Sequence, residues 1–176
     1  MLNNDDVLME KTVDKINEMT AELKEKTNIG VYISAAEKLE NNETITAYTK
    51  RLGATLESPF VLITLSSIDR QIDLITSDDL TKRIDKDEVL DDYIIPIFVE
   101  IRKDISRQNQ LSAGIFNGVA FVVDTLADQE GIELESSVGS GSKNFYDGLM
   151  WLIRVMGLLT VGAFAYLWLR DKRAAK

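Results

Sequence analysis

The sequence contains no cysteine and no histidine. Without cysteine there is no thiol nucleophile, no disulfide and no iron–sulfur ligation, and the sequence carries no sign of its redox compartment. Without histidine, the chain lacks the usual general base at neutral pH and nearly all zinc and haem chemistry. Any chemistry must therefore rest on carboxylates, hydroxyls, lysine or arginine.

Basic residues are scarce in most of the chain. The 176 residues carry a formal net charge of -9. Residues 1–142 carry a net charge of about -13, because six of the 20 basic side chains but only two of the 29 acidic ones follow residue 142. Such a surface repels phosphate backbones, so nucleic acid is not expected as a partner.

One long apolar run stands out near the C-terminus. Leu149–Leu169 contains a single charge, and at the rise of an α-helix it would span roughly 30 Å, the thickness of the hydrocarbon layer. We predict a transmembrane helix over 148–169. A buried core helix is the alternative, but such a helix would be apolar on one face, whereas this run is apolar all round. The residues expected to anchor it at the membrane surfaces are Trp151, Arg154, Tyr166, Trp168 and Arg170.

The remaining chain divides around this helix. We predict a domain over 1–130, a Ser/Gly-rich tether over 131–147 and a basic tail over 170–176. A basic tail is typical of the cytoplasmic side, which would place the acidic domain outside, in the periplasm of a single-pass inner-membrane protein. Residues 1–12 are polar and do not resemble a signal peptide, so a cytosolic domain on a tail anchor stays open.

Apolar periodicity predicts alternating helices and strands in the domain. Helices are expected over Met9–Lys26, from about Asn42, over Asp87–Lys103 and over Asn109–Ala127, and strands over Val31–Ala35, Phe60–Leu65 and Gln71–Thr76. Gly30 is expected to end the first helix in a left-handed conformation, and Pro96 to kink or divide the third. This order predicts an α/β fold, a three-layer α/β/α sandwich around a small mixed sheet.

Several short motifs follow one another along the domain. They are the helix end Glu25–Asn28, the apolar strand Phe60–Leu65, Asp69-Arg70 leading into the next strand, Ile94–Phe98, and the glycine-containing Ala113–Gly118. Their order and spacing over roughly residues 5–128 resemble the TPM domain family.

This resemblance implies a domain often displayed outside the cytoplasm on one membrane helix and linked to the repair or assembly of membrane complexes. Some members are acid phosphatases or bind calcium. The family usually has a glycine-rich loop after the strand that follows Asp69-Arg70, whereas Thr76–Leu80 reads T-S-D-D-L. Backbone amides that cradle phosphate favour glycine and disfavour carboxylates, so this departure argues against phosphatase activity.

Six aspartates are candidate metal ligands near the ends of two adjacent strands and the following helix. They are Asp69, Asp73, Asp78, Asp79, Asp91 and Asp92. Carboxylates with hydroxyls nearby suit a hard cation such as Ca²⁺ or Mg²⁺. The alternative is structural, since acidic residues after Ser77 and around Asp85 favour helix N-termini and the others add charge to a solvated face. Asp69-Arg70 is equally consistent with a turn held by an ion pair.

Three classes of function are consistent with these features. The favoured one is a membrane-anchored, non-catalytic module for the interaction, assembly or maintenance of a membrane protein complex, with a divalent cation as a candidate ligand. The second is a metal-dependent acid phosphatase that uses the aspartates. The third is a cytosolic tail-anchored adaptor. The expected partners are the lipid bilayer and a membrane protein complex.

Overall fold

A computed structural model describes residues 1–40, 43–100 and 105–137. They belong to one compact unit, Met1–Gly139. The predicted transmembrane helix with its anchoring residues, the basic tail and residues 138–147 of the predicted tether lie outside the described residues. The strands are β1 (Asn3–Asn4), β2 (Gly30–Ala36), β3 (Phe60–Ser66) and β4 (Gln71–Thr76). The helices are α1 (Glu10–Thr27), α2 (Ile45–Gly53), α3 (Lys86–Glu88), α4 (Ile95–Val99) and α5 (Arg107–Glu130), with a 3-10 turn at Asp78–Leu80 and a π-helical turn at Val89–Ile94.

The four strands form one mixed sheet in the order β1-β2-β3-β4. β1, β2 and β3 are parallel, and β4 pairs antiparallel with β3. The two parallel connections run through α1 and α2, as the crossover between parallel strands requires. The predicted mixed α/β fold is thus confirmed. β1 was not predicted, because two residues carry no periodic signal.

The side chains of β3 alternate between two environments. Val61 and Ile63 are fully buried and belong to the same apolar cluster as Ile16 of α1 and Ile115 of α5. Thr64 points to the opposite side, where its hydroxyl meets that of Thr49 on α2 at 2.5 Å. Because successive side chains of a strand point to opposite faces, one face of β3 meets the apolar cluster and the other meets the hydroxyl of Thr49.

The end of α1 differs in one detail from the prediction. Asn28, not Gly30, takes the left-handed conformation, with φ of 63°, and its N–H donates to the carbonyl of Lys24. Gly30 is already the first residue of β2. Asparagine tolerates this conformation, so the left-handed residue comes two positions earlier than expected, and α1 ends at Thr27, one residue after the predicted end.

Pro96 divides the predicted third helix. The chain forms α3, then the π-helical turn Val89–Ile94, and then α4, with Pro96 in the first turn of α4. Proline is tolerated there because its missing N–H has no partner within the helix. α4 ends at Val99, earlier than the predicted end at Lys103, which itself lies outside the described residues.

The helix α5 is the central helix of the domain. By length and composition alone, α5 is long and apolar enough to cross a membrane. However, 56% of its most apolar 18-residue stretch is buried within the domain. Leu111, Ile115, Val119 and Val122 are almost completely buried against the rest of the core. We therefore interpret α5 as a core helix and keep 148–169 as the predicted membrane span.

One carboxylate ties the chain beyond α5 to α1. Glu22 accepts hydrogen bonds from the backbone N–H groups of Glu135 and Ser136, both at 2.8 Å, and it forms an ion pair with Lys26 at 2.7 Å. Partial burial opposes ionisation, but these bonds and one from the Ser136 hydroxyl prevail and lower the pKa of Glu22 to about 2. Glu135 and Ser136, which lie within the predicted tether, are thus fastened to α1.

We expect Glu22→Gln to lower the free energy of unfolding at pH 7 by about 1–2 kcal/mol, because the charge-assisted bonds are lost. Since the pKa of Glu22 is lower in the folded state, its contribution is complete above the ordinary value of 4.5 and disappears as pH falls towards 2. Urea unfolding of both proteins at pH 7 and at pH 3 measures this difference. Glu18→Gln is the control, because Glu18 makes an exposed ion pair with Lys15 and should change stability little. Equal effects of the two substitutions would contradict the role given to Glu22.

Candidate functional site

The six predicted metal ligands do not converge on one point. Asp69 lies in the turn between β3 and β4, next to the pair Ser66–Gln71. Asp78 and Asp79 follow the other end of β4, which is six residues long and spans roughly 20 Å at the rise of a strand. Asp69 and the Asp78-Asp79 pair therefore occupy opposite ends of the hairpin.

The other predicted ligands are also dispersed. Asp91 and Asp92 are exposed on the π-helical turn, and Asp73 is buried within β4. Within the described ranges, no three acidic side chains are grouped closely enough to hold a metal ion. Cation binding by any of these residues stays a prediction.

Asp69 joins two loops. Its carboxylate accepts hydrogen bonds from the hydroxyl of Ser66 at 2.6 Å and from the backbone N–H of Leu39 at 2.9 Å. The Ser66 hydroxyl and then the Leu39 N–H lower the pKa of Asp69 below its ordinary value. Arg70 follows in a left-handed conformation, with φ of 54°. The turn predicted for Asp69-Arg70 is present, and what holds it is hydrogen bonding by Asp69.

Of the six aspartates, Asp73 has the environment that differs most from the prediction. Its side chain is only 4% exposed and pairs with the ammonium group of Lys86. The same oxygen, Oδ1, accepts the N–H of Leu74 at 2.9 Å, while Oδ2 is buried with no hydrogen-bond partner among the described residues. Alternation along β4 indicated a half-exposed strand, and a buried charge at this position was not foreseen.

The acidic residues after β4 fit the structural alternative better than a ligand set. Asp78 and Asp79 are exposed in the first turn of the 3-10 segment. Asp85 caps α3, because its side chain accepts hydrogen bonds from the N–H groups of Asp87 and Glu88. Helix capping by the acidic residues around Asp85 is therefore present as predicted.

A cleft lies at the carboxyl end of β3, between the β3–β4 turn and the residues where α4 ends and α5 begins. Its volume is about 610 Å³, within the usual range for ligand sites. Its apolar wall consists of Leu65, Ile72, Ile95, Phe98 and Val99. Arg70 and Arg107 also line it. In open α/β sheets, ligands commonly bind outside the carboxyl ends of the strands, which is where this cleft lies.

Local packing fixes the walls of the cleft. Arg107 is the first residue of α5, and its Nη1 donates to the carbonyl of Phe98 at 3.3 Å. Gln110 donates to the carbonyl of Ile97 at 2.7 Å and to that of Glu100. Gly114 lets the ring of Phe98 approach α5, since a Cβ at this position would lie 2.4 Å from Phe98 Cε1. These contacts hold α4 against the start of α5.

The residues that line the cleft differ in charge from the protein as a whole. Among the described residues, two arginines, Arg70 and Arg107, and one acidic residue, Glu100, line it in a chain whose net charge is -9. Sequence reasoning noted Arg70 only as part of a motif and did not single out Arg107. Their proximity depends on the packing of α4 and α5 beside β4, which no local pattern reveals.

Comparison with known proteins supports the fold and does not identify the protein. No protein-family model matches the sequence, and no curated protein matches it. The NMR structure of the BA42 protein from the psychrophilic bacterium Bizionia argentinensis is similar, with a TM-score of 0.50 and 14% sequence identity. The similarity covers 78% of this chain and 98% of that one. At such low identity the likeness extends to the fold alone, and it places this chain among mixed α/β domains.

Proposed function

We propose that this protein is a membrane-anchored, TPM-like interaction module whose α/β domain binds a membrane protein complex through the cleft. The observation that carries the proposal is the cleft itself, where five apolar side chains and two arginines meet beside a fixed turn. Apolar surface next to arginine is typical of protein interaction sites. The proposal includes a three-layer sandwich, with α1 and α5 on one side of the sheet and α2 on the other.

The membrane anchor in this proposal comes from the sequence. Residues 148–169 have the length and apolarity of a single membrane span, and the basic tail 170–176 favours a cytoplasmic C-terminus. The acidic domain then lies on the outer face of an inner membrane. Its negative charge disfavours close contact with anionic headgroups, which leaves a protein as the better partner for the cleft.

A non-catalytic role fits the chemistry of the domain. The chain has no histidine and no cysteine to act as base or nucleophile. The six aspartates considered for a phosphatase are dispersed over the β3–β4 hairpin, the 3-10 turn and the π-helical turn. Cation binding does not enter the proposal, because it is not needed to form the cleft.

Photocrosslinking in intact membranes tests this function. We expect benzoylphenylalanine at Val99, a cleft residue that is 67% exposed, to form an adduct with an integral membrane protein. The adduct should be lost when Arg70→Glu is added to the full-length chain, because the cleft then changes charge. The control places the same probe at Thr46, an exposed residue of α2 that does not line the cleft.

Two results would contradict the proposal. One is an equal yield of adducts from Val99 and Thr46, which would mean that the cleft has no particular partner. The other is hydrolysis of p-nitrophenyl phosphate with Ca²⁺ or Mg²⁺ by the full-length protein, provided that Asp69→Asn abolishes it. That result would restore the phosphatase alternative.

A further inference from the structure

We infer that the cleft recognises a carboxylate of a partner polypeptide with an apolar side chain beside it. This inference rests on the proposed function and specifies the chemistry of the partner. The carboxylate would bind between Arg70 and Arg107, and the apolar side chain would lie against Phe98 and Val99.

The first step concerns the charge of the two arginines. Arg70 is exposed and makes no ion pair or hydrogen bond with any of the described residues. By contrast Arg51, another exposed arginine, binds both carboxylate oxygens of Glu43 at 3.1 and 2.8 Å. A guanidinium group that is left available in an otherwise acidic domain is complementary to an anion.

The second step concerns how Arg107 is held. Its Nη1 donates to the carbonyl of Phe98, so the guanidinium group is fixed at the rim and its remaining N–H groups are available for further bonds. Arg107 is also the first residue of α5, where the helix dipole favours a negative charge. A fixed donor loses little conformational entropy when it binds a ligand.

The third step concerns the apolar wall, which argues for a polypeptide and against a small polyanion. Val99 is 67% exposed and lies in the cleft beside Phe98, Ile72 and Ile95. Inorganic phosphate would leave this wall uncovered. A residue with an apolar side chain next to its carboxylate covers the wall and satisfies the arginines at once. A single carboxylate also experiences less repulsion from the acidic domain than a phosphate dianion.

Binding of four short probes to the full-length protein in detergent micelles tests the inference. The first is N-acetyl-Gly-Ala-Leu-Phe with a free C-terminal carboxylate, and the second is its C-terminal amide. The third, N-acetyl-Ala-Asp-Leu-Phe amide, carries the carboxylate on a side chain, and the fourth is inorganic phosphate. Isothermal titration measures the affinity of each, and the first and third probes show which source of carboxylate is preferred.

At least one carboxylate peptide should bind about tenfold more tightly than the amide, since loss of one charge-assisted contact has about this effect. Arg70→Gln and Arg107→Gln should each weaken its binding at least about fivefold. Arg51→Gln is the matched control and should change nothing, because Arg51 lies on α2 and does not line the cleft. Thermal unfolding of each variant checks that the fold is retained.

Equal affinity for both carboxylate peptides and the amide would overturn the inference, as would an equal loss in the Arg51→Gln variant. Stronger binding of phosphate than of either carboxylate peptide would also overturn it, because the cleft would then be a phosphate site. If adducts form from Val99 while no peptide shows a preference for carboxylate, the proposed function stands and this inference fails. If the peptides bind as expected but Val99 forms no adduct, the proposal of a membrane protein partner is wrong, and the inference that the cleft recognises a carboxylate stands.

Discussion

Lys86→Met should lower the free energy of unfolding by about 3 kcal/mol, because the substitution leaves a buried carboxylate without its counter-charge. The carboxylate is that of Asp73, whose side chain is only 4% exposed, whereas Lys86 is 47% exposed. Oδ2 of Asp73 already has no hydrogen-bond partner among the described residues, so the pair with Lys86 is what offsets the cost of burying the charge. Urea unfolding at neutral pH measures the effect.

The double variant Asp73→Val/Lys86→Met separates the ion pair from the packing of the lysine stem. Replacement of a buried ion pair by apolar residues is often neutral or stabilising, so the double variant should be more stable than Lys86→Met alone. Lys82→Met is the control, because Lys82 is exposed nearby and makes no ion pair with a described residue. A neutral effect of Lys86→Met would show that Asp73 does not depend on this ammonium group.

The pair of Asp73 and Lys86 lies at one edge of the sheet that the described strands form. β4 is an edge strand, and unpaired N–H groups on such a strand invite pairing with another chain. The N–H of Leu74 is occupied by Asp73 Oδ1, and Lys86 places a positive charge beside it. Charge at an edge is a common means of preventing aggregation, which gives a physical reason for a buried aspartate in this strand.

Elements with a strong local signal could be predicted from the sequence. The apolar stripe Val13, Ile16, Met19 and Leu23 indicated α1, in which all but Val13 are fully buried. The apolar run of β3 indicated a central strand. Both rest on periodicity alone, which arises wherever one face or both faces of an element are buried. Pro96 likewise divided a helix for a reason that is local to its own ring.

Features that depend on contacts between distant segments could not be predicted. Over α2 and the turn that follows it, the sequence pattern favoured Ile45, Tyr48, Leu52 and Leu56 as one packed face. These four residues are half-buried, and the fully buried residues of α2 are Thr49 and Gly53 on the same face. Thr49 is buried because its hydroxyl binds Thr64 on β3, a partner that no helical pattern contains. The choice of a polar contact between α2 and β3 is a tertiary effect, which apolar periodicity alone does not reveal.

The candidate site shows the same limit. Six aspartates that are close in sequence were predicted as ligands of one metal site, but the hairpin register places Asp69 and Asp78 at opposite ends of β4. Arg70 and Arg107 are far apart in sequence, yet they line one cleft. Which residues meet was therefore decided by strand register and helix packing, and composition could only exclude kinds of chemistry.

The second large effect is expected at Gly118, where α5 meets the π-helical turn. A Cβ at this position would lie 2.4 Å from both Cγ1 and Cδ1 of Ile94, and Ile94 is completely buried. Overpacking of this kind costs about 1–3 kcal/mol, and Gly118→Ala recovers about 1 kcal/mol in helix propensity. Because Ile94 is completely buried, its side chain would have to shift within the core, so we expect Gly118→Ala to be destabilising and Gly118→Val to cost about 2 kcal/mol more.

A double-mutant cycle with Ile94→Ala decides whether the clash is the cause. Ile94→Ala alone should cost about 2–5 kcal/mol, as large-to-small core substitutions do. It removes both atoms that a Cβ at Gly118 would meet, so Gly118→Ala should cost less in the Ile94→Ala background and there become neutral or stabilising. Ala113→Gly, at an exposed position of the same helix, measures the effect of helix propensity alone, which should be about 1 kcal/mol. Additive effects of Gly118→Ala and Ile94→Ala would mean that the close contact between α5 and the π-helical turn is not what requires glycine.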